Sequence, residues 1–116
     1  SAIPAFLQSA DVLLAQAFPG IRVVAFGHVG DGNLHYNLSK PDAQENAAFV
    51  AAQPVANRIV HDAVHALGGS ISAEHGIGQL KREEILRYKS PVEMALMRLI
   101  KQAIDPRGLM NPGKVV

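Results

Sequence analysis

Two histidines, His28 and His35, stand on either side of Gly30-Asp31-Gly32, between the alternating runs Ile21–Val29 and Asn33–Ser39. Asp-Gly between such runs is a strong hairpin signal, because a type I′ turn needs positive φ at both central positions. With Asp31-Gly32 as a two-residue turn, Gly30 pairs with Asn33, Val29 with Leu34 and His28 with His35. Directly opposed side chains share a face, with Cβ atoms about 4.5–5.5 Å apart, so two imidazoles can reach one cation from two sides. The pleat sets Asn37 beside His35 and opposite Phe26. The other face carries Val23, Ala25, Leu34, Tyr36 and Leu38, an apolar set suited to covering helices. The parity depends on the turn, since a three-residue loop would break it.

A histidine pair across a hairpin also serves as ring packing or exposed surface, and a third ligand is what favours a cation. Glu74-His75-Gly76, after a short apolar run and between glycine-rich loops, offers one. A carboxylate with two imidazoles suits zinc, manganese or iron(II), and leaves positions open for water or substrate. His75 is then free for acid–base work near neutral pH. On the residues alone a second reading stands level with this one: Glu74 caps the following helix and His75 is a solvated loop residue. His61 and His65 have helical i, i+4 spacing but fall with Arg58 on a polar face, which reads as solvated surface. Lys81-Arg82-Glu83-Glu84 is mixed in sign and reads as surface, with Lys81 able to turn toward a nearby anion. The glycines match neither GxxxxGK(S/T) nor GxGxxG, which argues against a nucleotide site within the chain. Met94, Met97 and Met110 read as core filling.

The elements that must hold these groups follow from patterning. Ile3–Phe18 reads as a helix marked by Phe6, Leu7, Leu13, Leu14 and Phe18, ended by Pro19-Gly20. Lys40–Gln44 is loop. Glu45–Leu67 is mostly helical, with Pro54 kinking it or opening a second helix. From Val55 onward Ala56, Ile59, Val60, Ala63, Val64 and Leu67 gather on one side, and Gly68-Gly69 closes the helix. Ser70–Ala73 reads as a short strand and Gly78–Tyr88 as a short charged helix. Ser90-Pro91-Val92-Glu93 is a capping box with proline at the first helical position, opening a helix to about Ile104. Its expected buried marks are Val92, Leu96, Leu99, Ile100 and Ala103. Asp105-Pro106 ends it, and Asn111-Pro112-Gly113-Lys114 is a turn. The order implies an α+β fold: a small antiparallel sheet with helices packed on one face. The third strand would complete a partial ferredoxin-like (split βαβ) arrangement.

Composition bounds the rest. The 116 residues amount to one modest domain, and 48% hydrophobic content supports a core. Zero cysteines exclude disulfides and thiol chemistry. Eleven basic against ten acidic residues, a net +1, is no footprint for nucleic acid or an anionic membrane. No apolar run is long enough to span a bilayer and no secretion leader opens the chain, so a cytoplasmic location is expected.

Three motifs together resemble the C-terminal domain of FAD-linked oxidases: Gly27-His28-Val29-Gly30-Asp31-Gly32-Asn33-Leu34-His35, Ile71-Ser72-Ala73-Glu74-His75-Gly76-Ile77-Gly78, and Asn111-Pro112-Gly113-Lys114. That family includes D-lactate dehydrogenase, the glycolate oxidase flavoprotein subunit and D-2-hydroxyglutarate dehydrogenase. Leu34-His35-Tyr36-Asn37 with Ser39, and Ser72-Ala73-Glu74, lean toward the D-2-hydroxyglutarate branch. The resemblance implies that His28, His35 and Glu74 are divalent-metal ligands for zinc or manganese. It further implies that Asn37 contacts substrate, that His75 is the general base, and that Asn111 and Lys114 lie near FAD. The implied reaction is hydride transfer from a 2-hydroxy acid to FAD.

The resemblance covers only the last quarter or so of a typical member. The flavin-binding domain that precedes this region in relatives has no counterpart here, so that domain or subunit is the expected partner. The chain alone is expected to be inactive, and to self-associate through an exposed sheet edge. Two other readings are a non-catalytic module for metal binding or oligomerisation, and a metal-dependent hydrolase. Neither gives the Asn-Pro-Gly-Lys turn a role.

Overall fold

A computed structural model describes residues 2–41 and 45–116. Positions 42–44 of the expected loop Lys40–Gln44 lie outside the described residues. The elements are α1 (Ile3–Ala17), β1 (Arg22–His28), β2 (Asn33–Ser39), α2 (Asn46–Ala51), α3 (Gln53–Ala66), α4 (Arg82–Tyr88) and α5 (Pro91–Ile104). The fold class is α+β, as expected. The residues gather into two compact units, Ser1–Ile71 and Ser72–Val116. Among the described residues no helix is long and apolar enough to cross a membrane.

The first unit is a hairpin covered on one face by helices. Phe6 and Ala10 of α1 and Ala63 of α3 form its core, with Leu7, Leu34, Tyr36, Val60 and Val64 packed against them. Alanine at positions 10 and 63 removes the bulk that would hold α1 and α3 apart. Leu34 and Tyr36 come from the face of β2 expected to be apolar, so the helices cover the side that the alternation marks. The Tyr36 ring meets Phe6 edge-on, with centroids 5.2 Å apart and planes at 68°. Its hydroxyl donates to Asp11 Oδ1 on α1. Burial first, then that carboxylate, raises the Tyr36 pKa well above the usual phenol value.

Pro54 does not kink a continuous helix. It sits in the first turn of α3, where its missing N–H has no helical partner to lose. At the other end Gly68 N–H donates to His65 O (2.9 Å) and Gly69 N–H to Val64 O (2.9 Å), with Gly68 left-handed at φ 72°. Those two bonds are a Schellman cap, which satisfies carbonyls the helix leaves open.

The second unit holds α4 and α5, with Ile85 and Met94 buried. The expected capping box is present: Glu93 N–H donates to Ser90 Oγ (3.2 Å) and Ser90 N–H to Glu93 Oε2 (2.8 Å).

Several expectations need correction. Ser70–Ala73 is irregular rather than a strand, so among the described residues the split βαβ (ferredoxin-like) arrangement does not form and the sheet has two strands, β1 and β2. A strand is stable only when paired, and Ser72 spends its hydroxyl on a local bond to Gly76 O (2.6 Å) that bends this segment. The helix expected over Gly78–Tyr88 begins only at Arg82, after a turn. Leu13 is exposed, since Phe6, Ala10 and Leu14 take the packed stripe of α1. On α5, Val92, Leu96, Leu99, Ile100 and Ala103 are exposed and Met94 alone is buried. The second unit supplies only the 7-residue α4 and loops, too little apolar surface to cover that stripe. Met97 is half-buried and Met110 exposed, so only Met94 fills core fully.

Candidate functional site

The turn of the hairpin differs from the expected one, and the difference decides what the histidines face. Val29–Asp31 forms a 3₁₀ turn, Gly32 is left-handed at φ 73°, and Gly32 N–H donates to Val29 O (3.2 Å). Four residues therefore connect the strands. The resulting pairs are His28 with Asn33, Phe26 with His35 and Val24 with Asn37. His28 and His35 are not directly opposed, and Asn37 does not face Phe26. The register has moved by two, an even step, so every side chain keeps its face. His28, His35 and Asn37 still share one side of the sheet, with the histidines as diagonal neighbours about 7–8 Å apart.

The place opposite His35 belongs to Phe26. Their rings stack with centroids 5.0 Å apart and planes at 17°. Between Phe26 and His28 only glycine fits. A Cβ on Gly27 would stand 2.5 Å from Asn33 O and 3.1 Å from Leu34 Cα, and its φ is +150°.

In the second unit, Ser72 and Gly76 close a loop around Glu74 and His75. His75 Nε2 lies 3.8 Å from Glu74 Oε2, and both side chains are solvent-accessible. Among the described residues no three His, Asp or Glu side chains are grouped closely enough to hold a metal ion. The expected ligands divide between the units, with His28 and His35 in the first and Glu74 in the second. His61 and His65 belong to no such group either.

Asn111–Lys114 forms the expected turn. Lys114 N–H donates to Asn111 O (3.2 Å), Pro112 takes the second position and Gly113, at φ 74°, the third. The tail then attaches to the glycine-rich loop: Val115 N–H donates to Gly78 O (2.8 Å) and Lys114 Nζ to Gln79 Oε1 (2.6 Å).

Asp105 was expected only to end α5. Its buried carboxylate accepts from Leu109 N–H (2.9 Å), Met110 N–H (2.8 Å) and Lys101 Nζ. Lys101 and the Met110 amide, in that order, hold its pKa down at about 2. The available signal was Asp-Pro-Arg-Gly after a helix with lysine in its last turn, a carboxylate preceding a loop rich in free amides.

The profile of FAD-linked oxidases, C-terminal domain, matches residues 1–115. The chain belongs to this family. Among relatives of this FAD-linked oxidase domain, D-2-hydroxyglutarate dehydrogenase of Xanthomonas citri pv. viticola is 50% identical over 115 residues, covering 99% of this chain and 24% of the relative. The enzyme of the same name from Stutzerimonas stutzeri is 43% identical over 113 residues, covering 97% and 24%. D-lactate dehydrogenase of Archaeoglobus fulgidus is 40% identical over 97 residues, covering 84% and 20%. The chain thus spans about a quarter of the length of these relatives.

Proposed function

We propose that this chain is the C-terminal substrate- and metal-binding part of an FAD-dependent dehydrogenase of D-2-hydroxy acids, of the D-2-hydroxyglutarate or D-lactate type. The observation that carries the reading is the division of the hairpin. One face is packed under helices, and the other presents His28, His35 and Asn37 together. The names of the relatives support the same reaction class. A partner domain or subunit holds most of the FAD, and a cytoplasmic location goes with this reading.

The donor set fits a divalent ion in kind: two imidazoles on one sheet face and a carboxylate on an accessible loop. A zinc or manganese ion held by His28, His35 and Glu74 would supply Lewis-acid stabilisation of the charge that grows on the substrate hydroxyl oxygen. FAD, when bound, supplies the acceptor for the hydride that leaves the α-carbon. Asn37, accessible on the same face as the histidines, binds and orients the substrate through its amide. His75, on its exposed loop, takes the hydroxyl proton on a ring nitrogen. Asn111 and Lys114 would help to hold FAD when it is bound.

The test is a chimera in which this chain replaces the matching last quarter of the Xanthomonas relative. Flavin-containing chimera should reduce an acceptor dye with D-2-hydroxyglutarate or D-lactate, and lose that activity on His75→Ala. A folded, flavin-containing chimera that oxidises no 2-hydroxy acid overturns the reading.

A further inference from the structure

The loop carrying Glu74 and His75 and the C-terminal turn are joined within the second unit by a chain of hydrogen bonds that starts at Asp105. A carboxylate at the C-cap of a helix, as Asp105 is of α5, faces the negative end of the helix dipole, so helix stability does not account for an acid there. The loop beyond it does. Asp105 receives Leu109 N–H and Met110 N–H, while Lys101 donates both to Asp105 and to Met110 O. Met110, the residue just before Asn111, is therefore held by its N–H and by its carbonyl at once.

The link continues past the turn. Lys114 Nζ reaches Gln79 Oε1, and Val115 N–H reaches Gly78 O. Those two acceptors lie just downstream of His75, in the arm of the loop that Ser72 closes on the other side through Gly76. Each contact is direct, and most use backbone groups, which cannot swing away as surface side chains do.

We propose that Asp105 is a positioning residue: through the Asn111–Lys114 turn it holds the Glu74–His75 loop, so that the two segments keep a fixed spacing. The functional meaning of the two ends, flavin side and proton acceptor, rests on the reading under Proposed function. The mechanical link does not.

The experiment is amide hydrogen exchange by NMR on this chain, comparing the parent with Asp105→Asn, Lys101→Met and Lys101→Arg. Asp105→Asn keeps volume and one carbonyl oxygen but puts an NH2 where a carboxylate oxygen accepts. It should speed exchange at Leu109 and Met110 by about tenfold or more, and also at Val115, and shift the His75 amide resonance. Lys101→Met should do the same more weakly, and Lys101→Arg should restore the parent pattern. Changes confined to residues 101–110, with Val115 and His75 as in the parent, would overturn the proposal. Parent-like exchange throughout would overturn it too. If Asp105→Asn fails to fold, the two Lys101 variants decide by the same criteria. A chimera without dehydrogenase activity alongside a propagated exchange effect would sink the functional reading and leave the link standing.

Discussion

Gly27→Ala should unfold the working face of the hairpin, while the same change at Gly30 should not. At Gly27 the φ of +150° is one that L side chains rarely adopt, a strain worth about 1–3 kcal/mol. The added Cβ would also meet Asn33 O at 2.5 Å. That carbonyl belongs to β2 and cannot retreat without loosening the strand pairing, and overpacking of this kind costs about 1–3 kcal/mol. The combined loss is about 2–6 kcal/mol, a large part of the ~5–15 kcal/mol that holds a domain together. At Gly30 a Cβ meets nothing within 4 Å, and no positive φ stands in its way. Alanine there should be neutral or stabilise by up to about 1 kcal/mol through the unfolded chain. Thermal melts followed by circular dichroism read both, at about 4 °C per kcal/mol for a chain of this size. Gly27→Ala should melt at least about 8 °C lower and lose the ring–ring cross-peaks between Phe26 and His35. Equal melting points for the two variants, with those cross-peaks intact in both, would refute the close approach and the register built on it.

Tyr36→Phe removes the hydroxyl bond to Asp11 and should cost about 1 kcal/mol at neutral pH, the partly accessible site keeping it below the range for buried charged bonds. Because the folded-state pKa of Tyr36 is raised, its contribution is complete below about pH 10 and fades as pH rises beyond that. The variant should therefore lose less stability than the parent above pH 10, as urea titrations at two pH values would reveal. Ser90→Ala removes the cap of α5 and should cost about 1 kcal/mol by the same titration. Ser90's amide first, and then Lys89, hold the Glu93 pKa down at about 2, so the box contributes above the ordinary glutamate value near pH 4 and weakens as pH falls toward 2. Each strand of the two-stranded sheet has a single strand neighbour, and the isolated chain should self-associate by strand addition, which light scattering at high concentration checks; a monomer throughout contradicts it.

What the sequence made legible was whatever is encoded locally or by parity. The face carrying His28, His35 and Asn37 was readable because alternation assigns sides, and an even change in loop length leaves sides alone. The register was not, because Val29–Asp31 takes up helical turns where Asp31-Gly32 alone was expected to reverse the chain. Ser90-Pro91-Val92-Glu93 and Gly68-Gly69 were readable because caps are closed by neighbours in sequence. The strand at Ser70–Ala73 failed for the opposite reason, since a strand needs a partner that local pattern cannot supply. The stripe on α5 was a true amphipathic pattern, but periodicity marks a face fit for burial without saying that anything covers it. Asp105 was harder to read because two of its partners, the Leu109 and Met110 amides, carry no residue-type signature, and Lys101 one turn earlier was the one side-chain sign.

The role proposed for His28, His35 and Glu74 is to hold one divalent ion. Zinc or manganese titrated calorimetrically into the metal-stripped chimera, beside His28→Ala, His35→Ala and Glu74→Gln, tests it directly. One tight ion is expected in the parent, with a loss of at least about tenfold in affinity for each variant. Four indistinguishable titrations would contradict it.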